Sequence, residues 1–286
     1  MPLTFRIGLR GLGGNVKSER VVLGLVLFCF AAVAAPGGNL SENATVLERV
    51  RAKYWTKYSG APLANLGSPF TTGLDGSTNS KNQNGDNLVT LGYQINSTFR
   101  PGIGVPFNFL PITRDVIQVK PIYVGLTDFT ILEAGNLTVH GDARVYLPIG
   151  DVAALQDVRT GFRASQLVLY RIPDSNWLVG SSSYVRTYKY GDNGNGFRPD
   201  LEVFVSPFAS YRMTDRLYAV LWADVLQLTH SYGEGVGLTN ALMDIQPGIR
   251  WDVTESIQVN PYVNIIPGAL RWDNISWGLA LNAALT

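Results

Sequence analysis

The chain has 286 residues, of which 46% are hydrophobic and 16% charged, with a formal net charge of +1. So small a net charge gives no electrostatic case for nucleic-acid binding. Thirty glycines and an aromatic share of 11% fit an all-β protein with many turns and half-buried rings, long enough to build a substantial core.

Residues 1–35 predict a secretory signal peptide. Arg6, Arg10, Lys17 and Arg20 precede the apolar run "VVLGLVLFCF" (21–30), and Ala32 and Ala34 stand at the two cleavage-recognition positions. The single cysteine, Cys29, lies within that apolar run. The mature chain is therefore expected to carry no disulfide, no thiol chemistry and a net charge of −2.

Residues 41–58, "SENATVLERVRAKYWTKY", predict a helix, because Leu47, Val50, Tyr54 and Tyr58 recur at intervals of three and four. The helix is expected to plug the barrel described below or to cover its periplasmic mouth. A linker rich in Gly, Ser, Asn and Thr follows over 65–87. Residues 36–87 are thus expected to form one periplasmic or plug unit ahead of the main domain, 88–286.

From residue 88 the period becomes two. In 135–148, Leu137, Val139, Gly141, Ala143 and Val145 share one face; Thr138, His140, Asp142, Arg144 and Tyr146 share the other. The same split recurs in 158–171, 200–212 and 243–252. About ten strands are predicted: 88–99, 116–126, 135–148, 157–172, 176–190, 199–213, 215–230, 241–253, 256–267 and 274–286. The count becomes twelve if "TDFTILEA" (127–134) hides a further hairpin. Most runs span 10–15 residues, longer than the usual soluble strand and long enough to cross a bilayer when tilted. The connections 172–176, 213–215 and 253–256 are tight, whereas 191–199, 231–240 and 267–274 are longer and rich in Gly and Asn. With strand one rising from the periplasm, the tight turns gather at one end and the long ones at the other.

These strand lengths, this asymmetry and aromatics near strand ends (Tyr93, Trp177, Tyr211, Trp251, Trp277) resemble the Gram-negative outer-membrane β-barrel superfamily. The resemblance implies an antiparallel up-and-down transmembrane barrel in the bacterial outer membrane. It also implies partners: outer-membrane lipid including lipopolysaccharide, and the barrel-assembly machinery. One departure is that the last strand ends Leu285–Thr286, where members usually end on an aromatic residue. The soluble alternative is a β-sandwich. It explains the alternation but not the small residues of the apolar face opposite several arginines.

No cofactor is expected: "GIGVPF" (102–107) and "GDNGNG" (191–196) lack the strand-to-helix setting of a phosphate loop, and a chain with two histidines and no mature cysteine offers no metal-ligand spacing. His140 and His230 are the sole histidines available to a hydrolase, and lumen or loop surface accounts for both. The polar face is the better lead. Arg144, Arg159, Arg163, Arg186 and Arg250 are expected to face inward, with Asp142, Glu202, Asp224, Asp244 and His140. They either pair across a narrow lumen and stiffen it, or line a path biased toward anions. Three functions follow: a non-enzymatic structural or narrow-pore protein passing small solutes, a rim hydrolase using His230 or His140, and an adhesin or receptor binding a surface ligand through loops 191–199 and 231–240. Last, Pro121, Pro207, Pro247 and Pro261 interrupt predicted strands on the outward face. They suggest one level of bulges near the periplasmic end.

Overall fold

The computed structural model describes residues 45–68, 70–72, 78–96, 99–110, 116–233, 239–240 and 243–285. The signal peptide expected over 1–35 lies outside them.

Twelve antiparallel strands close into a barrel. They are β1 (Val50–Pro62), β2 (Asn84–Tyr93), β3 (Pro101–Leu110), β4 (Val116–Val119 with Tyr123–Ala134), β5 (Leu137–Tyr146), β6 (Val158–Arg171), β7 (Trp177–Tyr190), β8 (Pro199–Arg212), β9 (Leu217–Asp224 with Leu226–Ser231), β10 (Thr239–Asn240 with Asp244–Asp252), β11 (Ile257–Ile265) and β12 (Ile275–Ala284). Each pairs with its sequence neighbours, and β1 pairs with β12 to close the ring. Closure removes the unpaired edges that a sheet in lipid cannot tolerate.

The structure corrects the sequence at three places. The helix expected over 41–58 is reduced to one turn, Val46–Arg49, and Val50–Pro62 is a barrel strand. Its Tyr54 and Tyr58 keep helical spacing, but they are also two steps of the period-two set Tyr54, Thr56 and Tyr58. The partners β2 and β12 decide between the two periods. The barrel therefore starts at Val50, not at residue 88. Second, Pro101–Leu110 is a strand, although Pro101, Gly102, Gly104 and Pro106 make it read as a loop. These two strands raise the count from ten to twelve. Third, 127–134 is the lower half of β4, not a hidden hairpin. Against β5 it gains one residue between Leu126 and Phe129 and another between Thr130 and Leu132. Those two bulges erase its alternation.

The connections divide by rim. The turns 135–136, 172–176, 213–216 and 253–256 lie at the rim that holds Val50 and Ala284. Gly135, at φ +58, takes the first place of its two-residue turn, where a primed hairpin turn needs positive φ. The opposite rim carries 63–83 with a small hairpin (Phe70–Thr72 and Thr78–Asn82), 147–157 with a helix at Asp151–Gln156, and 266–274 with two 3-10 turns. Short turns mark the periplasmic rim of a transmembrane barrel.

The exterior is apolar and exposed. Val145, Phe162, Val185, Leu221, Ile249 and Leu279 present their side chains outward from six different strands. Below them, Tyr93, Tyr170, Trp177, Tyr211 and Trp251 form an outward aromatic level near the periplasmic rim, with the Trp177 and Tyr211 rings 5.0 Å apart. A two-layer sandwich buries its apolar faces against each other; this single closed sheet turns them outward.

Candidate functional site

The strand register brings charge into rows. Arg144 pairs with Arg163, Arg163 with Arg186, and Arg186 with Glu202. The next row is Asp142, Ser165, Tyr184 and Phe204. Like charges directly opposite repel, and each arginine meets that cost differently. Arg144 Nε lies 2.5 Å from Asp142 Oδ1 and its guanidinium covers the Tyr123 ring at 4.3 Å. Arg186 pairs with Glu202, which also accepts from the Tyr184 hydroxyl. Arg163 stacks on Tyr184 at 4.0 Å. It has no ion pair among the described residues, and its Nε is buried without a partner.

A second arc of the inner wall carries acids. Asp224 on β9 stands directly opposite Asp244 on β10. The Gln246 amide nitrogen donates to both, at 3.2 Å and 3.1 Å, which is how two facing carboxylates are held together. Gln246 Oε1 in turn accepts from Lys57 Nζ at 3.0 Å. Lys120 Nζ lies 2.6 Å from Asp86 Oδ1 in the same arc. Asp224 owes its position to a bulge. Phe208 pairs with Trp222 but Val205 with Leu226, so β9 holds one extra residue opposite Ser206 and Pro207.

Against the arginine arc lies a cavity of about 520 Å³, bordered by Arg144, Arg163, Asp142, His140, Ser165, Ser182, Lys53, Trp55 and the Glu255–Ser256 turn. That turn places its lower end at the periplasmic rim. The Tyr123 ring at its border is set back because glycine gives it room at the wall, as it does for a second inward tyrosine outside the cavity. Tyr123 lies over Gly104 and Tyr262 over Gly278, and a Cβ at either glycine would overlap the ring.

The other predicted residues fall elsewhere. Arg159 lies at the outer rim beside Asp157, with its side chain 59% exposed, and not in the lumen. A register shift at the top of β6 and β7 ends the regular inward alternation below it. Arg250 pairs with Asp252 at 3.2 Å and covers Tyr218 at 3.8 Å. His140 borders the cavity, but Ser165 donates to Asp142 at 3.4 Å, and the described residues give His140 Nδ1 no partner, so no serine–histidine–aspartate relay forms there. His230 Nδ1 lies 2.5 Å from Asp200 Oδ1.

The four prolines do not share one level. Pro121 is buried in a break between the two parts of β4, thirteen positions before that strand's periplasmic end at Ala134. Pro207, Pro247 and Pro261 lie within four or five residues of the periplasmic rim, on β8, β10 and β11. Bulges accompany Pro121, where Phe107 pairs with Val119 but Gly104 with Tyr123, and Pro207. The register is unchanged through Pro247 and Pro261.

Sequence reading missed Asp86 and Lys120, and it put Lys57 on a plug helix facing the inward acids where the structure has it on the barrel wall. Lys57 was misplaced by the helical spacing of 41–58 and Asp86 hidden by the polar composition of 65–87. Their signal is the alternation of Lys53, Trp55 and Lys57 with Tyr54, Thr56 and Tyr58.

A closed antiparallel barrel with an apolar, exposed exterior, an aromatic level and a charged interior is a transmembrane β-barrel, and its place is the bacterial outer membrane. Its fold is that of an outer-membrane channel from Pseudomonas putida F1: the two superpose with a TM-score of 0.54 at 11% identity, over 88% of this chain and 99% of the channel. Weaker likenesses join it to a loop-deletion form of OmpT, an outer membrane protein of Vibrio cholerae (TM-score 0.38, 10% identity, 82% of this chain and 98% of that one), and to CdiB from Acinetobacter baumannii (0.39, 10%, 92% and 68%). No protein-family model and no curated protein sequence matches the chain.

Proposed function

We propose that the protein is a non-enzymatic, narrow-pore outer-membrane channel whose lumen is polarised by an arginine arc and an acidic arc. The observation that carries this reading is the cavity of about 520 Å³ between Arg144 and Arg163 on one side and Lys53 and Trp55 on the other. Side chains just fill the interior of a barrel of about eight strands, and the diameter grows with strand number, so twelve strands enclose more space than that. Tyr123, at the border of the cavity, is recessed over Gly104. On this reading the partners are small solutes, outer-membrane lipid including lipopolysaccharide, and the barrel-assembly machinery. The test is planar-bilayer conductance of the refolded chain in potassium chloride. Discrete steps are expected, with a reversal potential displaced in a salt gradient; a silent barrel leaves only the structural role.

A second reading, a rim hydrolase, has one observation in its favour: the contact of His230 Nδ1 with Asp200 Oδ1. Such a contact orients an imidazole for base catalysis. Hydrolysis of ester or peptide probes that disappears in His230→Ala would support it.

A further inference from the structure

We propose that Arg163 is the centre of a binding site for a small organic monocarboxylate with a planar body. The site deepens the narrow-pore reading and rests on it for the ligand's route. Three guanidinium groups stand in one row, and two of them have carboxylate partners: Arg144 with Asp142, and Arg186 with Glu202. Arg163, between them, has neither an ion pair nor a hydrogen bond among the described residues, and its Nε is buried. It is not merely unplaced, because its face is fixed on the Tyr184 ring at 4.0 Å. Stacking fixes the plane of the guanidinium and leaves its N–H edge for a bidentate acceptor.

Charge sets the ligand's valence. The two adjacent rows together hold three cations, Arg144, Arg163 and Arg186, against two anions, Asp142 and Glu202, so a monoanion balances them. A dianion would be repelled by Asp142 and Glu202, which lie within the same two rows. The cavity sets its size, since about 520 Å³ is within the range of small-molecule sites and larger than a bare ion requires. The lining sets its character. Ser182 adds a hydroxyl to the lining, His140 an unpartnered ring nitrogen, and Trp55 and Leu167 offer apolar surface to the body.

The test uses the full refolded chain in detergent and titration calorimetry with sodium benzoate, with benzyl alcohol as the neutral isostere. Saturable binding of benzoate but not of benzyl alcohol is expected. Arg163→Gln is expected to weaken benzoate at least tenfold, while Trp272→Ala, in an outer loop, leaves it unchanged. Should Arg163→Gln not refold, Arg163→Lys keeps the charge, loses the fork and is expected to weaken benzoate at least threefold. No benzoate binding, equal binding of benzyl alcohol, or benzoate affinity unchanged in the Arg163 variant overturns the site. The pore is judged separately. A barrel that conducts but ignores benzoate sinks the site alone, and a silent barrel that binds benzoate sinks the pore alone.

Discussion

The side-chain amide of Asn260 lies 3.2 Å from the carbonyl of Ile249 and from that of Pro261, and we assign its nitrogen to that position because only the amide nitrogen can donate to the two carbonyl oxygens. The β10–β11 register sets Ile249 opposite Pro261 and Pro247 opposite Val263. Each proline removes one ladder N–H from this strand pair. The Ile249 carbonyl faces Pro261, and the neighbouring asparagine takes the missing donor's place. In a membrane wall an unsatisfied carbonyl has no water to turn to, so Asn260 is part of the ladder. Asn260→Ala is expected to destabilise the barrel by about 1–2 kcal/mol, read as a lower midpoint of urea unfolding in lipid vesicles. Pro261→Val in that background restores a backbone donor and should recover most of the loss. No recovery would contradict the substitution.

Glu202 holds Arg186 and Tyr184 at once and is 5% exposed. Glu202→Gln leaves Arg186 charged, half-enclosed and without its carboxylate. Removing one member of a buried pair costs about 3 kcal/mol or more, and heat-modified gel mobility should appear at a lower temperature. The same change leaves a second inward arginine unpaired. If the lumen conducts, the reversal potential in a salt gradient should move toward that of chloride.

Gly104 and Tyr123 form the second pair worth changing. A methyl group at residue 104 overlaps the tyrosine ring, so Gly104→Ala must push the ring off the wall and into the cavity. The overpacking cost is about 1–3 kcal/mol, and single-channel conductance should fall. Gly104→Ala with Tyr123→Ala should regain conductance, because the displaced ring is gone. Unchanged conductance in the single variant would show that the ring does not border the path.

β1 completes the ring by pairing with both β2 and β12. A chain that begins at residue 84 lacks β1 and exposes the edges of β2 and β12. It is expected to lose the heat-dependent mobility shift on detergent gels and to aggregate on refolding. Retention of the shift would mean that eleven strands close without Val50–Pro62.

Much of the wall was legible because alternation is local. The inward set Thr138, His140, Asp142 and Arg144 on β5 could be read from the chain alone, as could Asp244, Gln246 and Arg250 on β10. Reading failed where local signals compete. Val50–Pro62 satisfies a helical and a strand period together. Pro101–Leu110 carries two prolines and two glycines that hide its outward Ile103, Val105, Phe107 and Phe109. The bulges in 127–134 shift the phase twice within eight residues. The prolines were legible as interruptions, but not what repairs them, because the repair at Pro261 involves a carbonyl on another strand.

The sequence by itself determined the period, and with it the sheet, the apolar outside and the charged inside, since each depends only on residues two apart. The tertiary structure alone decided the strand count, the closure through β1 and which charges meet. Register between strands sets Arg163 between Arg144 and Arg186, and sets Asp224 against Asp244. Register is a long-range quantity: one extra residue at a bulge moves every later contact by a step. That is why the candidate arginines and aspartates were visible as residues of one polar set, and the arginine among them without an ion pair, Arg163, was visible only in the fold.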